Sequence, residues 1–293
     1  MTSAEITPDS AGSPPLKSLV RAFNANLTSW VGLGLFAMVI VIAALAPLLS
    51  VQDPIAQDVF AKLAPPSSTH IFGTDEYGRD IWARLMYGAR ASLTIGLAST
   101  AIAMVIGSVI GILAGWYGGR FDLIVMQVMD VLLAFPSLIL GMIVVAMLGP
   151  SAFNIILAIA LTSIPPFARI ARAPTLALKS RDFIDACRSF GLSTPRILLA
   201  HVLPNIFAEI LVMGSLWLAN AIRTEASLAF IGLGLQPPTP TWGGMIREGF
   251  DNILDSAWLA VVPSCAVLIV IFALNLLGDG LRDAIDPKLK DRS

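Results

Sequence analysis

Apolar residues along this chain come in long unbroken runs, not in the stripes of an amphipathic helix or the alternation of a half-buried strand. A hydrocarbon layer about 30 Å thick takes roughly 20 apolar helical residues to cross. Runs of that kind occupy residues 31–49, 93–115, 124–148, 151–168 and 258–277, with Asp130 near the start of the third. A weaker run covers 206–228, where only Ile210 to Ile222 is free of charge and Glu209, Arg223 and Glu225 sit near the ends. A charge at mid-membrane costs about 2.5–3.5 kcal/mol, but one near a helix end can snorkel or face protein. The pattern predicts an all-α integral membrane protein with six transmembrane helices.

Lys and Arg set the orientation. The two tails and the connections after the second and fourth runs hold 13 of them, and the three opposite connections hold 6. That excess places both termini and the 169–204 connection in the cytoplasm. The expected organisation is a cytoplasmic tail 1–29, a first anchor 30–50 and an extracytoplasmic loop 51–92 with an interfacial helix. A five-helix core 93–278 and a cytoplasmic tail 279–293 follow. The first run follows Lys17 and Arg21 and is too long for a cleavable signal peptide, so it reads as an uncleaved anchor. Residues 1–16 read as a loose tail.

Composition narrows the classes. Of the residues, 56% are hydrophobic and 13% charged, with mean hydropathy +0.79; a soluble domain carries about 25% charged residues. A disordered chain is excluded, and a soluble enzyme does not fit. A net charge of −1 offers no field to recruit nucleic acid. Cys187 and Cys265 are too far apart for a zinc or disulfide framework, and His70 and His201 are too few for a histidine centre.

Three connections carry pattern. In 50–92, Ile81, Trp82, Leu85, Met86 and Ala89 share one helical stripe, with Asp80 and Arg84 as an i,i+4 pair opposite. This predicts a short helix along the membrane interface, with a substrate gate as the sharper reading. In 169–204, Ser180 can cap a helix from Asp182 to Phe190, and Gly191 stops it. Thr194–Pro195 restarts a helix, and Pro204 is expected to end it. Phe183, Phe190, Ala186 and Cys187 give this loop more apolar surface than a connector needs, which suits docking of a cytoplasmic partner. The third segment, FIGLGLQPPTPTW at 230–242, cannot face lipid and belongs in the outer aqueous phase or at a cavity mouth.

Within the runs, Ala103, Gly107, Gly111 and Gly115 recur every four residues, the spacing that lets helix backbones approach in a membrane. Pro136, Pro165, Pro166 and Pro263 interrupt helix hydrogen bonding. Asp130, Pro136 and Glu225 are the candidates for a cavity lining or gate. The sequence has no G-x-x-x-x-G-K-[ST] phosphate loop and no chain of intramembrane carboxylates. A transporter without its own energy source but with a large cytoplasmic loop suggests an external motor. A secondary transporter would need an internal ion site. A membrane enzyme using His201 as base would need a nucleophile that is not evident.

Residues 185–205, DACRSFGLSTPRILLAHVLPN, resemble the EAA loop of ABC-importer permeases. Asp185 stands at the Glu position, Ala186 matches and Cys187 replaces the second Ala. Gly191, Leu203 and Pro204 match, and His201 takes the Ile position. FGTDEYGRD (72–80), MDVLLAFPSLIL (129–140), EASLAFIGLGLQPPTPTWG (225–243) and NLLGDGLRDAIDP (275–287) resemble blocks of the second permease subunit of dipeptide, oligopeptide and nickel importers. Gln127 and Arg223 depart from those blocks' neighbourhoods.

The resemblance implies a MetI-like, type I permease fold and a non-catalytic subunit of the bacterial inner membrane. It implies half of a translocation pathway, completed by a second homologous permease chain and supplied by an extracytoplasmic solute-binding protein. One or two cytoplasmic ATPase subunits would hold ATP and Mg and grip the coupling residues Asp185, Ala186, Cys187, Gly191, His201, Leu203 and Pro204. The cargo would be a peptide or a related small solute.

Overall fold

A computed structural model describes residues 27–285. The expected tails, including Lys17, Arg21 and the end of the 275–287 block, lie largely outside the described residues. Five helices are long and apolar enough to cross a membrane, and a bent helix pair makes a sixth if counted as one span. The predicted all-α architecture is therefore observed.

Helix α1 (Leu27–Ala44) leads into a single turn, α2 (Ala46–Leu49). Pro47 lies in the first turn of α2, where a missing N–H leaves no helix bond unmade. Helix α3 (Ile81–Tyr117) runs unbroken for 37 residues. At 1.5 Å per residue that is about 55 Å, well beyond the hydrocarbon layer. The expected interfacial helix is thus not a separate element. Residues 81–92 are the first turns of α3, and Ile81, Met86 and Ala89 are buried against protein.

The third apolar run is split. Helices α4 (Gly119–Ala134) and α5 (Ser137–Leu148) meet at 89°. Pro136 stands at the break and cannot donate the hydrogen bond that would carry the helix through. Helix α6 (Ala152–Lys179) starts from a Ser151 cap, whose hydroxyl accepts from the Asn154 N–H at 3.2 Å. Pro165, Pro166 and Pro174 lie inside it. It packs parallel to α3 along a glycine seam, residues 107, 111 and 115 of one meeting 164, 168 and 172 of the other. A Cβ at Gly107 would stand 2.5 Å from the Ile164 carbonyl, one at Gly111 2.1 Å from that of Ala168, and one at Gly115 2.8 Å from that of Arg172. Those residues let two backbones touch where lipid supplies no hydrophobic drive.

After α7 (Asp182–Ser189) and α8 (Thr194–Ile197), a π-type turn over Leu198–Val202 joins α9 (Leu203–Ile231). The chain then forms a ten-residue helix, α10 (Trp242–Asp251), which the hydrophobic pattern did not announce, and the last span, α11 (Trp258–Ile285). Helix α11 continues past residue 279, where the tail was expected to begin, and α1 lies along it with Gly32 pressed on its backbone.

Candidate functional site

One end of the bundle carries the loop that resembles the EAA motif. Residues 169–179 belong to α6, so the connection between helices is shorter than the hydropathy suggested. Ser180 does not cap α7. Its hydroxyl donates back to the Ala177 carbonyl at 3.1 Å, and Arg181 holds the cap position. Helix α7 ends in a Schellman turn: Leu192 N–H bonds the Cys187 carbonyl at 3.1 Å, and Gly191 N–H bonds that of Arg188 at 2.9 Å. Gly191 has φ +76° with nothing within 4 Å of an added Cβ. Glycine is required here by the left-handed backbone, not by close packing of the two short helices.

Pro204 does not terminate the second arm. The π-type turn before it redistributes the hydrogen bonds that its missing N–H would have broken, and α9 runs on through it. Asn205 Nδ2 satisfies the His201 carbonyl at 2.6 Å. The elbow is therefore α7, a glycine turn, and an arm continuous with a span.

One face of the elbow is bolted to the bundle. Ile184, Ile197, Leu198 and Val202 are buried in a cluster with Ile112, Trp116 and Phe167, and Cys187 and Leu203 pack at its edge. The Arg188 guanidinium lies over the Trp116 ring at 5.0 Å. The other face is bare. Phe183 is 42% exposed and Phe190 83%, and Asp185 and Ala186 are exposed beside them. Among the described residues Asp185 pairs only with Arg188, at 3.0 Å and on the surface.

The opposite end is built differently. The FGTDEYGRD segment folds back on residues 58–66 through backbone bonds such as Asp58 N–H to the Tyr77 carbonyl at 3.2 Å and Leu63 N–H to that of Asp75 at 3.0 Å. Gly78 has φ +75°, and a Cβ there would fall 1.8 Å from the Asp58 carbonyl oxygen. Arg79 Nε donates to Asp75 at 2.6 Å, and Arg79 and Arg84 each donate to Glu248 of α10 at 2.9 Å. Arg84 also approaches Asp75 at 3.3 Å, and both arginines are 3% exposed at the side chain. The i,i+4 pair expected between Asp80 and Arg84 is not made. Asp80 caps α3 through the Ala83 N–H at 2.7 Å and pairs with His70 at 2.9 Å. Outside this knot, the Glu76 charge chiefly holds the Tyr77 phenol above its ordinary range.

Beneath this cap lies Glu225, 1% exposed. The Ser92 and Thr241 hydroxyls face its carboxylate without closing a hydrogen bond. Ser92 accepts from the Trp242 N–H at 3.3 Å, and Thr241 caps α10 through the Gly244 N–H at 3.1 Å. Trp242 Nε1 donates to the Leu85 carbonyl at 3.1 Å. Glu225 thus marks the junction of α3, α9 and α10. A polar cavity of about 440 Å³ opens beside it, lined by Arg247, Gln236, Glu248 and the 234–239 loop.

Asp130 is elsewhere. It pairs with Arg169 of α6 at 2.5 Å, both more than half exposed, while Asp122 and Arg172 form a second α4–α6 pair further in. The structure therefore does not bring Asp130, Pro136 and Glu225 together. Sequence reasoning missed Glu248 and Trp242. Their signal was a Thr241 cap followed by Trp242, Met245 and Gly249 at helical spacing, all buried.

Residues 107–291 match the family model described as "Binding-protein-dependent transport system inner membrane component". The chain is 42% identical over 284 residues to the di/tripeptide transport system permease protein DppC of Pseudomonas aeruginosa, covering 94% of this chain and 93% of that protein. It is 46% identical over 225 residues to the glutathione transport system permease protein GsiD of Pectobacterium atrosepticum, covering 77% and 75%. Among solved structures, the inward-facing MetNI methionine ABC transporter matches with TM-score 0.56 at 17% identity, over 69% of this chain and 96% of that one. That likeness gives the fold, a MetI-like permease.

Proposed function

The chain belongs to the family of binding-protein-dependent transport system inner membrane components, and from that premise we propose that it forms half of the pathway of an ATP-driven importer for small peptides. A second homologous permease completes the pathway, and an extracytoplasmic binding protein delivers the solute. One or two ATPase subunits, which hold the ATP and Mg, drive it from the cytoplasm. The chain lies in the bacterial inner membrane with both termini and the elbow inside, and it binds no cofactor itself.

The observation that carries this reading is the elbow. Its inward face is fixed to Ile112, Trp116 and Phe167, while Phe183, Ala186 and Phe190 stand bare. A handle of that form moves as one body with the inner ends of α3, α6 and α9, so force at its bare face becomes helix displacement. Relatives named for di/tripeptides and for glutathione, itself a tripeptide, support a short peptide as cargo.

The test is reconstitution. Liposomes holding both permeases and the ATPases are expected to take up dipeptide only with binding protein and ATP, and the purified chain alone is expected to hydrolyse none. Uptake by the chain alone, or labelling of a cysteine at Phe190 from outside intact cells, overturns the proposal.

A further inference from the structure

We propose that Arg223 is a fixed cation on the wall of the translocation path, where it takes a carboxylate of the passing solute. The inference rests on the importer reading above and adds a recognition site to it.

At 100° per residue, Asn205, Glu209, Asn220, Arg223 and Ser227 fall within one sector of α9 roughly 60° wide. Asn205, Glu209 and Arg223 are exposed, and Asn220 and Ser227 are partly so. Leu218, Ile222 and Glu225, on the other side of the helix, are buried. The polar stripe therefore faces away from the chain's own core.

Its depth follows from packing. A Cβ at Gly96 would stand 2.7 Å from the Ile222 side chain. Gly96 lies inside the stretch from Ala91 to Gly119, which carries no charge. Arg223, next to Ile222, thus sits at the level of the outer part of the apolar layer. An arginine facing lipid there is disfavoured, and charged groups in spans face protein or a water-filled cavity.

Among the described residues no carboxylate pairs with Arg223; its Nη2 donates to Oδ1 of Asn220 at 2.5 Å. Asn220 fixes the plane of the guanidinium and leaves most of its five donors for another acceptor. A guanidinium edge matches a carboxylate with two parallel hydrogen bonds. A short peptide brings such a carboxylate at its C-terminus.

The experiment uses the assembled importer with its native cysteines, the wild-type complex treated with the same reagents serving as control, and measures peptide uptake for Arg223→Cys, Arg223→Lys and Arg223→Met. Loss of one charge-assisted pair of about 1.5–3 kcal/mol predicts roughly tenfold or more lower uptake in the Cys and Met variants. Co-purification with the partner subunits should be unchanged, and Lys should keep most of the uptake. Treating the Cys variant with an aminoethyl thiosulfonate, which restores a cation, should recover uptake. A sulfonatoethyl reagent of the same size should not, and saturating peptide should slow both reactions. A thiol unreactive to these reagents, equal effects of both, or loss of co-purification through a salt bridge to the second permease would each overturn the proposal. Failure of the importer reading looks different: the wild-type complex would show no ATP-driven uptake.

Discussion

The two ends of the molecule use the same turn to opposite effect. Helices α7 and α9 both finish in a Schellman turn on a left-handed glycine, Gly191 at the inner elbow and Gly232 beneath the outer cap. Around Gly191 there is open space, while a Cβ at Gly232 would lie 2.0 Å from the Arg247 guanidinium. The elbow is held by apolar burial on one face and leaves the other face bare. The cap is locked by arginines, acids and backbone bonds from three segments. A surface meant to be gripped needs rigidity behind it and freedom in front. A closure over a cavity needs fixed geometry, and buried ion pairs with several partners give direction as well as attachment.

The sharpest way to break that contrast is at Gly78. With φ +75° and the Asp58 carbonyl where a Cβ would be, Gly78→Ala cannot be absorbed without moving the 58–66 segment. Membrane-inserted protein should fall to a small fraction of wild type, measured by yield after mild detergent extraction and by gel filtration. Wild-type yield would show the cap to be loose. Next in size is Glu248→Gln, which removes one of the two carboxylates facing a pair of buried arginines and leaves Asp75 alone between them. Breaking a buried pair costs about 3–5 kcal/mol, and the 24% exposure of Glu248 places this one at the lower end. A lower thermal midpoint in detergent checks it, and Asp251→Asn, exposed on the same helix, should leave the midpoint unchanged.

Much of this was legible beforehand, for physical reasons. The spans announce themselves because lipid demands length and apolarity, and the glycine repeat 107–111–115 faces a backbone because little else accounts for that spacing. Gly191 was readable as a stop, since left-handed backbone selects glycine. The cap was not legible. Its bonds join Arg79 and Arg84 to Glu248, more than 160 residues away, and no local periodicity encodes such a partner. Asp80 and Arg84 had the spacing of a pair, yet each had a better partner in three dimensions. The continuation through Pro204 was hidden as well, because a π-type turn absorbs the proline without a trace in the hydrophobic pattern.

At the elbow the expected effects are smaller on folding and larger on work done. Gly191→Val puts a β-branched residue at φ +76° in open surroundings, a local strain of about 1–2 kcal/mol with no clash. Insertion should persist while peptide uptake collapses; normal uptake would remove the elbow from the transmission path. Phe190→Ala sharpens the point further. The ring is 83% exposed and belongs to none of the buried clusters, so its removal should leave the thermal midpoint of the chain unmoved. If it is an anchor for the ATPase, its loss should cost more than about 1 kcal/mol of docking, as aromatic anchors at interface centres do. That is read as roughly fivefold or more weaker co-purification and as ATP hydrolysis no longer stimulated by loaded binding protein. A variant that lowered the midpoint instead would make Phe190 part of the bolted face, and the division of the elbow into a fixed side and a gripped side would fall with it.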